Sequence, residues 1–415
     1  MNIEQMGQLL NIQVTDQPEG DVVEMLERNR DRVVEGNIIR GAVKSHKLNA
    51  SIILENDSRM ADRFRYNEFN DQIYINGENY EDEDTTEIEL WLHRVYSVQI
   101  AKEKVNDLII RQAKNNSFHP LQDYLNSLEW DGVCRLETLL QTYWGVYDSD
   151  LLREIGFRWA ISCVARALMP GAKMDTVLIL CGPQGAYKST SFRVLAGEDW
   201  FSDGHLDISK KDAQELIHKT GVWVWEMAEN NTLNKAESNT SKEFLSRPID
   251  IFRPSYGRNP VRRPRSIVFV STTNDQHFLT DKTGNRRFWP VIITDIDLEG
   301  LQRDRDQIWA EAVHYFQNNE VWWLDPTMEQ DLFEHQEKFV IEDPWEAAVE
   351  RCMTTYPEGF VNGDVFEYLN LPAYRQNTKE AKRVNAICQQ KGLVKQRYPS
   401  YHARLRTERP RVWKC

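Results

Sequence analysis

Residues 181–190 read CGPQGAYKST. An apolar run, DTVLIL (175–180), precedes them, and SFRVLAG (191–197) follows. A phosphate-cradling loop has the form G-x-x-x-x-G-K-[ST] between a strand and a helix, because loop amides and the helix N-terminus then point at the anion. Gly182, Lys188 and Ser189 stand where that form wants them, and Tyr187 replaces the glycine before the lysine. By pattern alone two readings stay open. One is a strand-to-helix turn with an incidental lysine. The other is a nucleotide site cradled by Gly182, Pro183, Gln184, Gly185, Ala186, Tyr187, Lys188, Ser189 and Thr190, in which Lys188 reaches the β- and γ-phosphates and Ser189 holds Mg²⁺.

Working outward, three more short apolar runs follow: GVWVWEM (221–227), RSIVFVSTTND (265–275) and FWPVIITDI (288–296). Continuous apolar runs of this length, with helical segments between some of them, predict an open α/β sheet of buried parallel strands. Phosphoryl transfer needs an acid at a strand end for Mg²⁺ and the attacking water. Glu226 follows the second run directly and Glu229 comes three residues later. Asn274 ends the third run, where an amide can orient water; a turn-forming Asn-Asp pair is the plainer reading. Arg286 and Arg287 stand on the turn DKTGNRRFWP (281–290). An exposed arginine there can serve a neighbouring active site by stabilising transition-state charge.

The stretch FRPSYGRNPVRRPR (252–265) holds Arg253, Arg258, Arg262, Arg263 and Arg265 with Tyr256 interleaved. Its prolines and glycine predict a basic hairpin or loop, suited to a single-stranded nucleic-acid backbone and its bases; counter-ions for an acidic neighbour are the alternative. RDRDQIWAEAVHYFQNN (303–319), QIAKEKVNDLIIRQAKNN (99–116) and LLREIGFRWAISCVARALMPG (151–171) have apolar positions at helical spacing. YNEFNDQIYINGENY (66–80) alternates like a hairpin. His119 and Trp130 read as capping or packing residues.

The 415 residues carry a net charge of −13, unevenly spread. Residues 1–90 hold 20 acidic and 9 basic side chains, whereas residues 371–415 hold 12 basic and 2 acidic ones. That polarity fits a protein with a local binding patch rather than a general nucleic-acid coat, a solubilising tail being the alternative. The six cysteines form no C-x-x-C pair, which fits reduced thiols, and neither a signal peptide nor a membrane-spanning run is present, so a cytoplasmic protein is expected. The basic end reads as helix, helix, helix, hairpin, the order of a winged helix. Lys379, Lys382, Arg383, Lys391 and Lys395 fall on or beside its third helix; Arg397, Arg404, Arg406 and Arg409 fall on the wing. Protein contacts are the alternative use of such a module.

Taken in order, FHPLQDYLNSLEWDGVCRL, PGAKMDTVLILCGPQGAYKST, GVWVWEMAEN, FRPSYGRNPVRRPR, STTND and DKTGNRRFWP resemble the virulence-associated protein E family of phages, prophages and phage-satellite islands. The resemblance covers about residues 30–345. It implies an AAA+-like P-loop core related to superfamily 3 helicases, and a cytoplasmic, DNA-dependent ATPase acting in replication in a bacterial host. Through it Glu226 becomes the acidic residue that shares Mg²⁺ with Ser189, Glu229 a second acid, and Asn274 the sensor. Arg286 or Arg287 becomes the finger given in trans, and Lys242 to Arg265 the hairpin motif that touches DNA in a ring channel. A homo-oligomeric ring, hexameric in expectation, follows, with single-stranded DNA in the channel, a duplex or fork at the winged helix, and host or phage replication proteins as partners. An origin-binding initiator and a non-motor interference protein are the competing functions. The expected organisation is an acidic α+β region (1–95) in a mostly helical N-terminal part, a helical region (96–170), the NTPase core (171–340) and the winged helix (341–415).

Overall fold

The computed structural model describes residues 17–34, 37–208, 210, 212–228, 239–255, 259–279, 285–341, 343–397, 401–402, 407–408 and 411–414. The chain opens with α1 (Gly20–Met25), the antiparallel pair β1 (Arg32–Val34) and β2 (Asn37–Ile39), and α2 (Lys47–Asn56). Then comes a meander of β3 (Phe64–Asn67), β4 (Gln72–Ile75) and β5 (Glu78–Asn79), where alternation predicts a hairpin. Helices α3 (Asp82–Tyr96) and α4 (Lys102–Asn115) follow. The acidic run at 81–84 builds the start of α3: Asp84 and Glu81 close a capping box, and Asp82, Glu83 and Asp84 face the positive end of the helix dipole. β6 (Ser117–Phe118) joins β3 in parallel and completes the sheet β5-β4-β3-β6. Ile53, Phe64, Trp91, Leu92, Leu108 and Ile109 share one core, so α4 packs with the N-terminal elements.

Next come α5 (Pro120–Ser127), α6 (Leu139–Trp144) and α7 (Asp150–Leu168). His119 caps α5, its Nδ1 accepting from the Gln122 amide at 3.2 Å. Trp130 packs against His314 and Tyr315. Both residues therefore serve structure, as their sequence setting suggests.

The central sheet contains β7 (Val177–Cys181), β8 (Phe201–Ser202), β9 (Val224–Ala228), β12 (Val268–Thr273) and β13 (Phe288–Ile292). Its order is β13-β7-β12-β9-β8 and every pairing is parallel. Helices α8 (Lys188–Ala196), α9 (Ala213–Lys219) and α10 (Asn239–Ser246) lie between strands, and an antiparallel hairpin of β10 (Ile249–Phe252) and β11 (Val261–Pro264) feeds into β12. Helices α11 (Leu298–Gln317) and α12 (Pro326–Gln336) follow the sheet. Both faces are covered, which is why the strands read as unbroken apolar runs. Along β7, Leu178 and Leu180 enter the core under α6, α7 and α11. Val177, Ile179 and Cys181 enter the core on the other face, with Phe244, Phe269 and Phe339. Because β12 lies between β7 and β9, the carboxyl ends of three adjacent strands converge at one edge. This is an α/β fold whose five-stranded, all-parallel sheet is consistent with a P-loop NTPase core.

The basic end forms α13 (Glu346–Thr355), α14 (Asn362–Tyr368) and α15 (Thr378–Gln390). Strand β14 (Val394–Arg397) then pairs antiparallel with β17 (Arg411–Lys414), and β15 (Tyr401–His402) with β16 (Thr407–Glu408). Val349, Cys352, Phe360, Val365, Val384 and Trp413 give this segment a core of its own. Among the described residues no helix is long and apolar enough to cross a membrane.

Candidate functional site

The loop after β7 closes onto α8 through two residues in the left-handed region, Gly185 at φ 81° and Tyr187 at φ 57°, ψ 26°. Tyr187 thus adopts the conformation for which the usual glycine is suited, at a backbone cost of roughly 1–2 kcal/mol. It packs against little, being 64% exposed. Gly182 is required for another reason: a Cβ there would meet Ile293 Cγ1 at 2.5 Å.

Lys188, at the first turn of α8, is buried and its ammonium donates three hydrogen bonds. They run to the Gly182 carbonyl at 2.8 Å, the Pro183 carbonyl at 2.7 Å and Asn274 Oδ1 at 2.9 Å. Three donors are all an ammonium has. Burial holds its pKa below the usual lysine range, against the opposing pull of Cys181 and Glu226. Burial also pushes the Cys181 thiol, at the root of the loop, up to about 12. Cys181 is therefore a packing residue, unlike a reactive thiolate.

One residue on, Ser189 Oγ donates to Glu226 Oε1 at 2.8 Å. Glu226, only 1% exposed, sits within β9 next to β12. Thr272 Oγ1 donates to the same Oε1 at 2.5 Å. The other oxygen, Oε2, is buried with no hydrogen-bond partner among the described residues. A buried carboxylate oxygen left unpaired is costly, and a hydroxyl beside it completes a set of hard oxygen donors. Ser189 and Glu226 therefore fit a Mg²⁺ ion, which would neutralise phosphate charge there. Thr272 is a site residue that the motif reading missed. Its signal was the polar run Ser271-Thr272-Thr273 ending an otherwise apolar strand.

The structure thus brings Lys188 and Ser189 after β7, Asn274 after β12 and Glu226 from the middle of β9 together on three adjacent strands, so Glu226 is not the strand-end acid that the sequence suggests. Asn274 directly follows β12, and its amide oxygen faces Lys188. Glu229 lies outside the described residues. Arg286 and Arg287 precede β13, whose first residue, Phe288, pairs with Val177 at the start of β7. They stand at the far edge of the sheet, roughly 20 Å from the loop at ~3.3 Å per strand residue. Neither can reach its own chain's site. Arg286 is exposed at the rim of a cavity of about 330 Å³ lined also by Asp175, Trp289, Trp322 and Trp323. Arg287 is half-buried and donates to Ser246 Oγ at 3.1 Å.

The basic stretch is an antiparallel hairpin, and its arginines are not equivalent. Arg253 and Arg262 are exposed. Arg263 ties the hairpin to the N-terminal meander, donating to Asp71 at 2.6 Å and Tyr66 at 3.3 Å. Arg265 is fully buried and forms a two-pronged pair with Asp250, at 2.7 Å for both contacts. It is no part of a basic surface. Tyr256 and Arg258 lie outside the described residues. At the basic end Lys379 and Lys382 are exposed, whereas Arg383 is held by Asp343 at 2.8 and 2.9 Å and stacks over Trp345. Lys391 is held by Glu346 and Glu350. Arg404, Arg406 and Arg409 lie outside the described residues.

No curated protein matches the chain. Among solved structures it is similar to the apo structure of the NrS-1 C-terminal region, at 10% identity and a TM-score of 0.43, covering 80% of this chain and 84% of that one. The A form of the same region matches at 13% identity and a TM-score of 0.37, over 65% and 66% of the two chains. A family model, the virulence-associated protein E-like domain, matches residues 125–341, which span the whole central sheet and the site built on it. With more than half of its length matched, the chain belongs to the virulence-associated protein E-like family, whose P-loop core implies nucleotide binding.

Proposed function

We propose that this protein is a DNA-dependent ATPase that acts as a replicative helicase of a phage, prophage or phage-satellite element, in the cytoplasm of its bacterial host. One observation carries the reading: Lys188 and Ser189, Glu226, and Asn274, from three separate stretches of the sequence, meet across the adjacent strands β7, β12 and β9. Lys188 and the amides of 182–190 bind the triphosphate. Ser189 and Glu226 hold Mg²⁺, and Asn274 orients the attacking water, with Glu229 as the second acid.

The rest of the reading extends that site. The core is AAA+-like and superfamily 3-like. Arg286, exposed and distant from its own loop, supplies the trans finger in a ring, hexameric in this reading. The β10–β11 hairpin, with Arg253, Tyr256, Arg258, Arg262 and Arg263, follows one DNA strand through the channel. The basic end is a winged helix whose Lys379 and Lys382 lie on the helix offered to duplex or fork DNA.

Lys188→Ala tests the core of it. DNA-stimulated ATP hydrolysis and unwinding of a forked substrate should both fall to background in that variant. Near-normal hydrolysis would sink the assignment. Hydrolysis by the wild-type protein without strand displacement would point instead to an ATP-switched, origin-binding initiator.

A further inference from the structure

The two arginines of the turn before β13 have different surroundings. Arg286 is exposed, and among the described residues only its carbonyl is engaged, accepting from Trp289 Nε1 at 3.2 Å. Arg287 joins three segments. Its Nε donates to Ser246 Oγ at 3.1 Å, lies 3.6 Å from Asp175 Oδ2, and its carbonyl accepts from the Val177 amide at 2.7 Å. Asp175 leads into β7, the strand of the phosphate loop. Ser246 closes α10, the helix that leads into the hairpin.

The hairpin base is tied to its surroundings by buried polar contacts. Arg265 grips Asp250 and donates to the Phe244 carbonyl on α10. Arg166 on α7 donates to the carbonyls of Ile267, Ala172 and Arg247. His218 approaches Asp250 at 3.1 Å from α9. A close-packed element of this kind moves as a unit rather than deforming.

We propose that Arg287 is a positioning residue, coupling the hairpin to the Arg286 turn through Ser246, so that engagement of DNA sets where Arg286 lies toward the next copy of the chain. This rests on the ATP-hydrolysing reading given above. In this reading Arg287 itself touches no nucleotide.

The test measures hydrolysis by full-length protein with and without single-stranded DNA, alongside DNA affinity by anisotropy. Ser246→Ala removes the acceptor together with the bond that Ser246 Oγ donates to the Lys242 carbonyl, and keeps the backbone bonds of α10. Its basal hydrolysis and DNA affinity should stay within about two-fold of wild type, while stimulation by DNA drops about five- to ten-fold, the worth of one such hydrogen bond. Arg287→Lys, which keeps a donor, should fall between the two. Arg286→Ala should lose basal and stimulated hydrolysis alike. Full stimulation in both Ser246→Ala and Arg287→Lys would overturn the coupling and leave the functional reading standing. Loss of DNA affinity in Ser246→Ala would also overturn it, as a mere folding role. Rescue of Arg287→Ala by mixing with Lys188→Ala would make Arg287 the finger and overturn it as well. A wild-type protein that hydrolyses no ATP would sink the coupling together with the functional reading.

Discussion

At Tyr187 the loop makes a left-handed turn without glycine, and the largely exposed side chain gains little packing in return. Tyr187→Gly should therefore raise the melting temperature by about 1–3 °C, the effect of roughly 1 kcal/mol in a chain of this size. An unchanged or lowered melting temperature would mean that the tyrosine stabilises the loop through its side chain. Asn274 bears on the same loop differently. Its amide oxygen takes one of the three donors of Lys188, a donor that phosphate must reclaim. Asn274→Ala is expected to bind ATP as tightly as wild type or tighter, yet to turn it over at least ten-fold more slowly. Equal losses in affinity and turnover would contradict the assignment of Asn274 to the hydrolytic step. The loop between β7 and α8 was largely legible at this scale, because a glycine, a lysine and a hydroxyl at fixed spacing report one strand-to-helix turn. Thr272 was not, since nothing local says which neighbouring strand a hydroxyl will face.

Among elements, the parallel strands could be read directly, because burial on both faces leaves continuous apolar runs. The two-residue strands β6 and β8 could not, being shorter than any hydrophobic period. The hairpin was legible as a basic, Pro/Gly-punctuated segment, but the duties of its arginines were not. Arg265 finds Asp250 15 residues away, and Arg263 finds Asp71 192 residues away. Such pairings follow from the tertiary fold alone. The hairpin base gives a stability prediction. Burial on its own would raise the Asp250 pKa, but hydrogen bonds from His218 and Arg265 overcome it and hold the carboxyl below its usual value. A depressed carboxyl stabilises the folded state above its unfolded pKa and loses that contribution as pH falls through the folded one. Asp250 should therefore support the hairpin at neutral pH and release it below about pH 4. Asp250→Asn leaves the Arg265 charge buried without its counter-ion and should cost about 3–5 kcal/mol in denaturant unfolding of the core. A loss under about 1 kcal/mol would mean that the pair is solvated.

At the scale of the whole molecule, the loop and Arg286 occupy opposite edges of one sheet, and the proposed function has a second copy complete the site. Arg286→Ala and Lys188→Ala, each inactive alone, should recover part of the wild-type hydrolysis when mixed. No recovery in mixtures that still assemble would count against a finger given in trans. The basic end, with its separate core, should add DNA affinity that weakens with salt. Deleting residues 345–415 should flatten the slope of log K against log[salt] by about 0.9 for each duplex phosphate that the basic end neutralises. The central claim is tested most directly by an electron-microscopic structure of the full chain with a non-hydrolysable ATP analogue, Mg²⁺ and forked DNA. The account predicts a ring with the triphosphate in the 182–190 loop, a metal between Ser189 and Glu226, and Arg286 of the adjoining copy at the γ-phosphate. A nucleotide bound elsewhere, or an empty loop at saturating analogue, would contradict it.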